Sequence, residues 1–242
     1  MALDDALSWL ADTRTPEGAW PYVVDGDAAA EPTLYAHAAG APASLEWLRR
    51  SELGWAWLIL PLALEDDALR ERARGHILEA AGVPGPVPGD YDAELVGWSW
   101  TEGTASWVQP TAWAVASMRA LGLGEHPRVL EGIRLLEDRQ SSDGGWNAGT
   151  PEVLGTDLPG YLYLTGWVCL ALPPSEAVER GLRFLEGVEA HPSTMNLALS
   201  ILARRAHGRP VEALGQRLLE RQSADGGFGQ VDRTALAAWA LS

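Results

Sequence analysis

The sequence predicts an all-α fold in which six helix pairs close into a ring, an (α/α)6 toroid, in a single domain over residues 1–242. Amphipathic helices alternate along the chain with stretches that are apolar on nearly every side, whereas the period-two alternation typical of strands is weak throughout. A turn of the form Gln-x-x-Asp-Gly-Gly-aromatic also occurs twice, at 140–146 and 222–228. Such self-similarity is typical of repeat architectures.

The amphipathic helices, which we call outer helices, carry charged residues on one side. Their final segments are WLAD (9–12), WLRR (47–50), ILEA (77–80), LLED (135–138), FLEG (184–187) and LLER (218–221). The apolar stretches that follow them, which we call inner helices, cover residues 31–41, 53–64, 109–122, 161–172, 194–205 and 232–242. A helix that is apolar on every side must be buried, so we expect the inner helices to lie within the outer ones.

Two arrangements would bury six inner helices, an open solenoid or a closed double ring. A solenoid needs polar capping repeats at its ends, and the final segment AAWALS offers none. We therefore expect the first repeat to close onto the last. Pro32 and Pro110 fall where a first helical turn tolerates proline, and Thr194 and Asp232 are predicted helix N-caps.

The charge and cysteine content limit the classes of function. A formal net charge of −15 disfavours binding to nucleic acid or to an anionic membrane surface. The N-terminal segment is acidic and amphipathic, unlike a signal peptide, and the most apolar run (55–64) is too short to span a bilayer. The lone cysteine, Cys169, excludes an intrachain disulfide and fits a reducing compartment. These features predict a cytoplasmic protein.

The repeated turns at 140–146 and 222–228 resemble the QW repeat of the squalene–hopene cyclase and protein prenyltransferase β-subunit superfamily. Segment 16–20 (PEGAW) resembles a degenerate copy, and segment 97–113 an expanded one. The resemblance implies the α/α toroid, in which the repeat glutamine ties an outer helix to the start of an inner one. It also implies a terpene cyclase or prenyltransferase activity on an isoprenoid.

The catalytic motifs of that superfamily are not found. The segments that come nearest to the cyclase DxDD motif are DGDA (25–28), EDDA (65–68) and DYDA (90–93), and none matches it. Asp157 lies too far before Cys169 to reproduce the prenyltransferase zinc ligands. We therefore predict no metal site and no cofactor, and the sequence identifies no acid residue.

Aromatic and polar side chains on the inner helices are the candidate ligand-binding residues. These candidates are Tyr35, Trp113, Tyr163, Trp167, Trp239 and Asn196. Thr165 and His37 are further polar candidates on the same helices. The aromatic rings either line a central pocket, where their π faces could stabilise a cation, or simply fill the middle of the ring.

Two functions therefore remain open. The first is an isoprenoid-handling enzyme, an isomerase or a transferase, with a non-standard acid. The second is a non-catalytic toroid that binds a protein or peptide partner, since the acid and zinc motifs are missing. The second function predicts an exposed Trp-rich patch, for which Trp98, Trp100 and Trp107 are the candidates.

Overall fold

The computed structural model describes residues 2–85 and 91–242, and within them twelve α-helices form two layers. The outer helices are α1 (Ala2–Asp12), α3 (Leu45–Arg50), α5 (Asp67–Glu79), α7 (Pro127–Asp138), α9 (Glu176–Phe184) and α11 (Glu212–Leu219). The inner helices are α2 (Ala30–Ala38), α4 (Leu60–Ala63), α6 (Val108–Ala120), α8 (Leu162–Ala171), α10 (Thr194–Ala206) and α12 (Val231–Leu241). Short 3-10 helices cover Gly54–Leu58 and Leu185–Glu189.

The inner helices form a closed ring. Each packs against the next in chain order, and α12 packs against α2. The sequence-based prediction of an all-α ring is confirmed. Two small antiparallel hairpins are added to it, β1 (Trp20–Pro21) with β2 (Ala28–Ala29), and β3 (Glu152–Val153) with β4 (Thr156–Asp157).

The pairing of outer with inner helices differs from the chain order that the sequence analysis used. Helices α5, α7, α9 and α11 pack against the inner helix that precedes them, and α1 packs against α12. The connections from an inner to the next outer helix are short, and short connections make antiparallel neighbours. They cover residues 39–44, 64–66, 121–126, 172–175 and 207–211.

Three buried tryptophans tie the loops to the outer helices. Each donates its indole N–H to a backbone carbonyl near the end of the preceding outer helix. The pairs are Trp20 with Leu10 at 2.7 Å, Trp98 with Ile77 at 2.7 Å, and Trp146 with Leu136 at 2.5 Å. All three indoles are almost fully buried. Trp98 is therefore not part of an exposed patch, and the expectation that placed it there was wrong.

A buried threonine on the following inner helix completes each of these three joins, and a fourth threonine makes the same contact with Phe228. The threonine hydroxyl oxygen accepts a hydrogen bond from the backbone N–H of the aromatic residue, and we call this contact the latch. The four latches are Trp20–Thr33 at 2.8 Å, Trp98–Thr111 at 3.0 Å, Trp146–Thr165 at 2.9 Å and Phe228–Thr234 at 2.9 Å. Thr165 thus holds a turn in place and does not serve as a polar pocket residue.

The repeat glutamine connects neighbouring outer helices. The Gln140 amide donates to the carbonyl oxygens of Gly144 and Ala177, each at 2.8 Å, and its oxygen accepts from Arg180. Ala177 and Arg180 belong to α9, an outer helix. The resemblance implied a tie between an outer and an inner helix, but Gln140 instead ties the end of α7 to α9.

The latch predicts a specific loss of stability. Replacing Thr165 with the isosteric valine removes the acceptor of the buried Trp146 N–H, which should cost about 1–3 kcal/mol of unfolding free energy. Urea denaturation measures this cost. The control is Thr156→Val, because Thr156 is exposed on β4 and its substitution should change stability by less than about 0.5 kcal/mol. Equal effects of the two substitutions would show that the latch contributes nothing.

Candidate functional site at the mouth of the ring

The inner helices all begin at one end of the ring, which we call the mouth. They run parallel because each is separated from the next by one antiparallel outer helix. The longer connections, such as those at 13–29 and 139–161, therefore gather at the mouth. Connecting loops on a rigid scaffold are where binding and catalytic residues concentrate.

A concave cavity of about 310 Å³ opens among the first turns of the inner helices. We call it the mouth cavity. Five of the inner helices contribute to it, namely α2, α6, α8, α10 and α12. Its lining residues are Glu31, Tyr35, Gln109, Tyr163, Trp167, Met195, Asp232, Arg233 and Leu236.

The latch threonines set which side chains face this cavity. The residue two positions before each latch threonine lines the cavity, as Glu31, Gln109, Tyr163 and Asp232 do. The residue two positions after it lies one helical turn below on the same face; these residues are Tyr35, Trp113, Trp167 and Leu236. The repeat thus places a polar or phenolic rim above a largely aromatic floor.

The floor is a cluster of aromatic rings in the middle of the ring of helices, which we call the aromatic plug. Tyr35 stacks on Trp167 and on Trp239 with centroids 6.1 Å apart in both cases, and Trp113 meets Trp167 edge to face at 5.6 Å. The rings therefore fill the centre, and the open space lies above them. The indole N–H of Trp113 is buried without a hydrogen-bond partner among the described residues, so the plug contains an unsatisfied donor.

Two phenols converge on one carboxylate at the rim. The Glu31 carboxylate accepts hydrogen bonds from the hydroxyls of Tyr35, at 2.7 Å, and Tyr22, at 2.8 Å. Burial, and next the negative charge of Glu31, raise the pKa of Tyr35 well above its ordinary value, and Tyr22 shifts in the same direction for the same reasons. Both tyrosines therefore stay protonated and hold Glu31 in place.

Asp232 is the second carboxyl group of the rim. It lies inside the first turn of α12, whose N-cap is Gln230, so the expected capping role is wrong. Its Oδ1 atom is buried and has no hydrogen-bond partner among the described residues. Burial raises the pKa of Asp232, although hydrogen bonds from the backbone N–H groups of Arg233 and Asp232 and the charge of Arg233 oppose the shift. Such surroundings shift the equilibrium of the carboxyl group toward its protonated form, relative to an exposed aspartate.

The residues predicted from the sequence divide into three groups. Tyr35, Tyr163 and Trp167 line the mouth cavity. Trp113 and Trp239 lie in the plug beneath it. Asn196 is not among the lining residues, since its side-chain amide donates to the carbonyl oxygen of His191 at the start of α10.

Other titratable residues from the sequence analysis lie away from the mouth cavity. Cys169 is buried in the core, and burial raises the pKa of its thiol to about 12, so it is an inert apolar side chain. Asp66 caps α5, and the backbone N–H of Asp92 bonds to Asp138 at the end of α7. Asp90, the first residue of DYDA, lies outside the described residues.

Neither metal-binding clusters nor membrane-crossing helices occur in the part of the chain that the structure describes. Over residues 2–85 and 91–242, no group of three His, Cys, Asp or Glu side chains is placed to hold a metal ion. Across the same ranges, the helices are too short or too polar to cross a bilayer.

An apolar groove of about 430 Å³ lies near the mouth cavity, with which it shares no lining residue. Trp107 and Tyr161 line it, and Tyr161 stacks on Tyr163 of the mouth cavity at 6.3 Å, with the two rings nearly parallel. Trp107 is 39% exposed and Tyr161 is 48% exposed. A stacked tyrosine pair therefore lies between the groove and the mouth cavity.

Comparison with known proteins identifies the fold. No protein-family model and no curated protein matches the sequence. A crystal structure of a protein from Actinoplanes matches 99% of this chain and 73% of its own, with 19% identity and a TM-score of 0.55. A variant of the type II terpene cyclase MstE from Scytonema, in complex with geranylgeranyl dihydroxybenzoate, matches 92% of this chain with 14% identity and a TM-score of 0.51.

This chain has a terpene cyclase-like fold. It spans 64% of the length of the matched Scytonema cyclase. At such identities the likeness concerns the fold alone, and function must be argued from the site.

The raised pKa of Asp232 predicts a pH-dependent effect on stability. The protonated Asp232 side chain contributes to the free energy of unfolding. This contribution is fully present below the unfolded-state pKa of about 3.9 and is lost as pH rises through the higher folded-state pKa. Asp232→Asn removes the cost of burying the ionised form. Relative to the unsubstituted protein, the variant should therefore gain stability as pH rises from 3 to 8, measured by urea denaturation. A relative loss over that range would mean that the folded protein stabilises the ionised carboxylate.

Proposed function

We propose that this protein binds an isoprenoid, or a similarly branched apolar ligand, with its reactive end in the mouth cavity and transforms it as a terpene cyclase-like enzyme. One observation carries the proposal. The carboxyl group of Asp232 lines an aromatic-floored cavity, has a raised pKa, and has a buried oxygen without a hydrogen-bond partner among the described residues. A terpene cyclase with bound geranylgeranyl dihydroxybenzoate has a similar fold, which supports the same reading.

The proposed chemistry begins with proton transfer from Asp232. Its O–H bond breaks, a C–H bond forms at one carbon of a ligand double bond, and the other carbon becomes a carbocation. The π faces of Tyr35 and Trp167 and the carboxylate of Glu31 lie in the same cavity and can stabilise the positive charge. After ring closure, loss of a proton from the product carbocation to a base or water forms the final double bond. Asp232 regains a proton from solvent.

The charges of the rim favour a ligand without a diphosphate group. With Asp232 protonated, Glu31 is the anion of the rim, and Arg233 is the single cation among its described lining residues. A diphosphate would require a cluster of basic groups or a metal ion, and one arginine beside a carboxylate does not provide such a site. A neutral polyprene or a prenylated phenol fits these surroundings better.

The size of the cavity indicates how such a ligand would lie. A volume of about 310 Å³ is at the small end of the range for ligand sites. A long isoprenoid would therefore place its reacting end in the mouth cavity and its tail in the apolar groove beside Trp107 and Tyr161.

Turnover of non-phosphorylated isoprenoids tests the proposal. We expect incubation with squalene or geranylgeranyl dihydroxybenzoate to give cyclised isomers of unchanged mass, detected by mass spectrometry, whereas prenyl diphosphates should give none. Asp232→Asn should lower turnover by at least about 100-fold, the usual contribution of a general acid, while ligand affinity changes little. Asp67→Asn, an exposed aspartate on α5, is the matched control and should leave turnover unchanged.

Two results would contradict this function. Unchanged turnover in Asp232→Asn would exclude Asp232 as the acid. Failure of every isoprenoid to bind or react would remove the isoprenoid function itself.

A non-catalytic role in binding a protein partner is the second candidate function. It is favoured by the tip of the β3–β4 hairpin, where Val153 is 45% and Leu154 is 89% exposed. Leu154 has a positive φ of 51°, which is unfavourable for a branched side chain, and its exposure contributes no burial energy. Folding alone therefore does not account for a leucine at this position.

The partner-binding function predicts that Leu154→Asp releases a co-purifying protein while the variant stays folded, as an unchanged thermal melt would show. The measurement is size-exclusion chromatography with mass spectrometry of the complex purified from its own host. If the unsubstituted protein and Leu154→Asp both elute as monodisperse monomers with no associated protein, this function is contradicted.

A further inference from the structure

A second concave pocket, of about 400 Å³, shares no lining residue with the mouth cavity. We call it the side pocket. Its side-chain lining includes Trp55, His76, Glu79, Ser99, Trp100 and Glu102. It lies where the 3-10 helix Gly54–Leu58, the end of α5 and the loop before α6 come together.

Two tryptophans form the walls of the side pocket. The rings of Trp55 and Trp100 are perpendicular, with an interplanar angle of 89° and a centroid separation of 5.9 Å. Trp55 is 46% exposed and Trp100 is 37% exposed. Two aromatic faces therefore meet in a corner that solvent can reach, and an indole face is the best side-chain surface for holding a cation.

The corner is built before any ligand arrives. Trp100 also packs edge to face on Trp113 of the aromatic plug, at 5.5 Å and 87°. The loop that carries Trp100 is held by hydrogen bonds from Ser99 Oγ and Thr104 Oγ1 to the carbonyl oxygen of Thr101, each at 2.7 Å. A preorganised site loses less conformational entropy on binding.

The charges around the corner are negative. Glu79 and Glu102 line the side pocket, and its described lining residues include no arginine or lysine. His76 is the remaining titratable group of the lining, and burial lowers the pKa of its imidazole, which favours the neutral form at pH 7. The nearby cation Arg72 already lies over the ring of Trp57, at 4.8 Å. Two carboxylates therefore face the pocket without a cation among its lining residues.

We propose that the side pocket binds a soluble organic cation of the quaternary ammonium class, seated in the corner between Trp55 and Trp100 and balanced by Glu79 and Glu102. A quaternary ammonium group has no N–H to donate, so it is held by aromatic faces and charge instead of hydrogen bonds. The two cavities share no lining residue, so choline binding in the side pocket does not require the isoprenoid function.

Other ligand classes fit the side pocket less well. A hard metal ion requires several oxygen ligands converging on one point, and the residues described here offer no such group. A phosphatidylcholine headgroup would bring its phosphate close to Glu79 and Glu102, which would repel it.

Calorimetric titration with choline tests the proposal, with 3,3-dimethylbutan-1-ol as a neutral ligand of the same shape. We expect choline to bind at least about tenfold more tightly than the neutral alcohol. Trp55→Leu should weaken choline binding about tenfold, and the Glu79→Gln, Glu102→Gln pair should also weaken it. Trp107→Leu is the matched control, since Trp107 has similar exposure but lines the other groove, and it should leave choline affinity within twofold.

Three results would overturn the proposal. Equal binding of choline and its neutral isostere would show an apolar slot without preference for charge. Equal losses in Trp55→Leu and Trp107→Leu would show that the corner has no special role. Tighter binding to phosphatidylcholine vesicles than to free choline would assign the pocket to a lipid surface. Thermal melts verify that each variant is folded. If Trp55→Leu does not fold, the loss of choline affinity in the Glu79→Gln, Glu102→Gln double variant tests the proposal.

Discussion

The fold depends on one constraint, that a helix apolar on all sides must be enclosed on all sides. Six such helices satisfy it by closing on themselves, and the ends of the chain form the seam, where α1 packs against α12. The Trp9 indole donates to Asp225 at 3.3 Å, and the Val231 N–H donates to the carbonyl oxygen of Tyr22 at 3.1 Å. Gly226 is needed there, because a Cβ atom would lie 2.7 Å from the backbone oxygen of Asp5. Closure replaces the polar caps that an open array would require.

Ring closure also determines where chemistry can occur. With the inner helices parallel, their first turns meet at one mouth, and the latch threonines fix their rotation. Glu31 and Asp232 are brought into the same cavity although they come from opposite ends of the chain. The aromatic residues one turn lower fill the centre of the ring of helices. Tyr35 and Trp167 also line the mouth cavity, whereas Trp113 and Trp239 only fill the centre. The side pocket depends on the same plug, because Trp100 rests against Trp113.

Much of the fold could be predicted from helical periodicity and the repeated turn, but the site was predicted only in part. The aromatic residues were found because large rings on an apolar helix are conspicuous. The two carboxyl groups of the rim were not predicted from the sequence. Asp232 lies at a helix start, where an aspartate usually indicates an N-cap, and Glu31 precedes a proline, as acidic residues in an ordinary first helical turn often do. Glu31 and Asp232 each lie two residues before a latch threonine, and this spacing would have identified them. Thr33 and Thr234, however, are recognisable as latches only once their hydrogen bonds are known. Trp98 and Trp100 lie two residues apart, and the sequence alone did not distinguish the buried indole from the exposed one.

The closed ring is the central claim of this account, and native-state hydrogen exchange measures it directly. If α1 and α12 seal the seam, their amides can exchange only when the ring opens, so their opening free energies should equal those of α6 and α8 on the far side of the ring. An open array would instead unravel from its ends, with opening free energies that fall from the middle helices toward both termini. Uniform protection across the four helices is the predicted result. A steep decrease at α1 and α12 would contradict the closed ring and the mouth that depends on it.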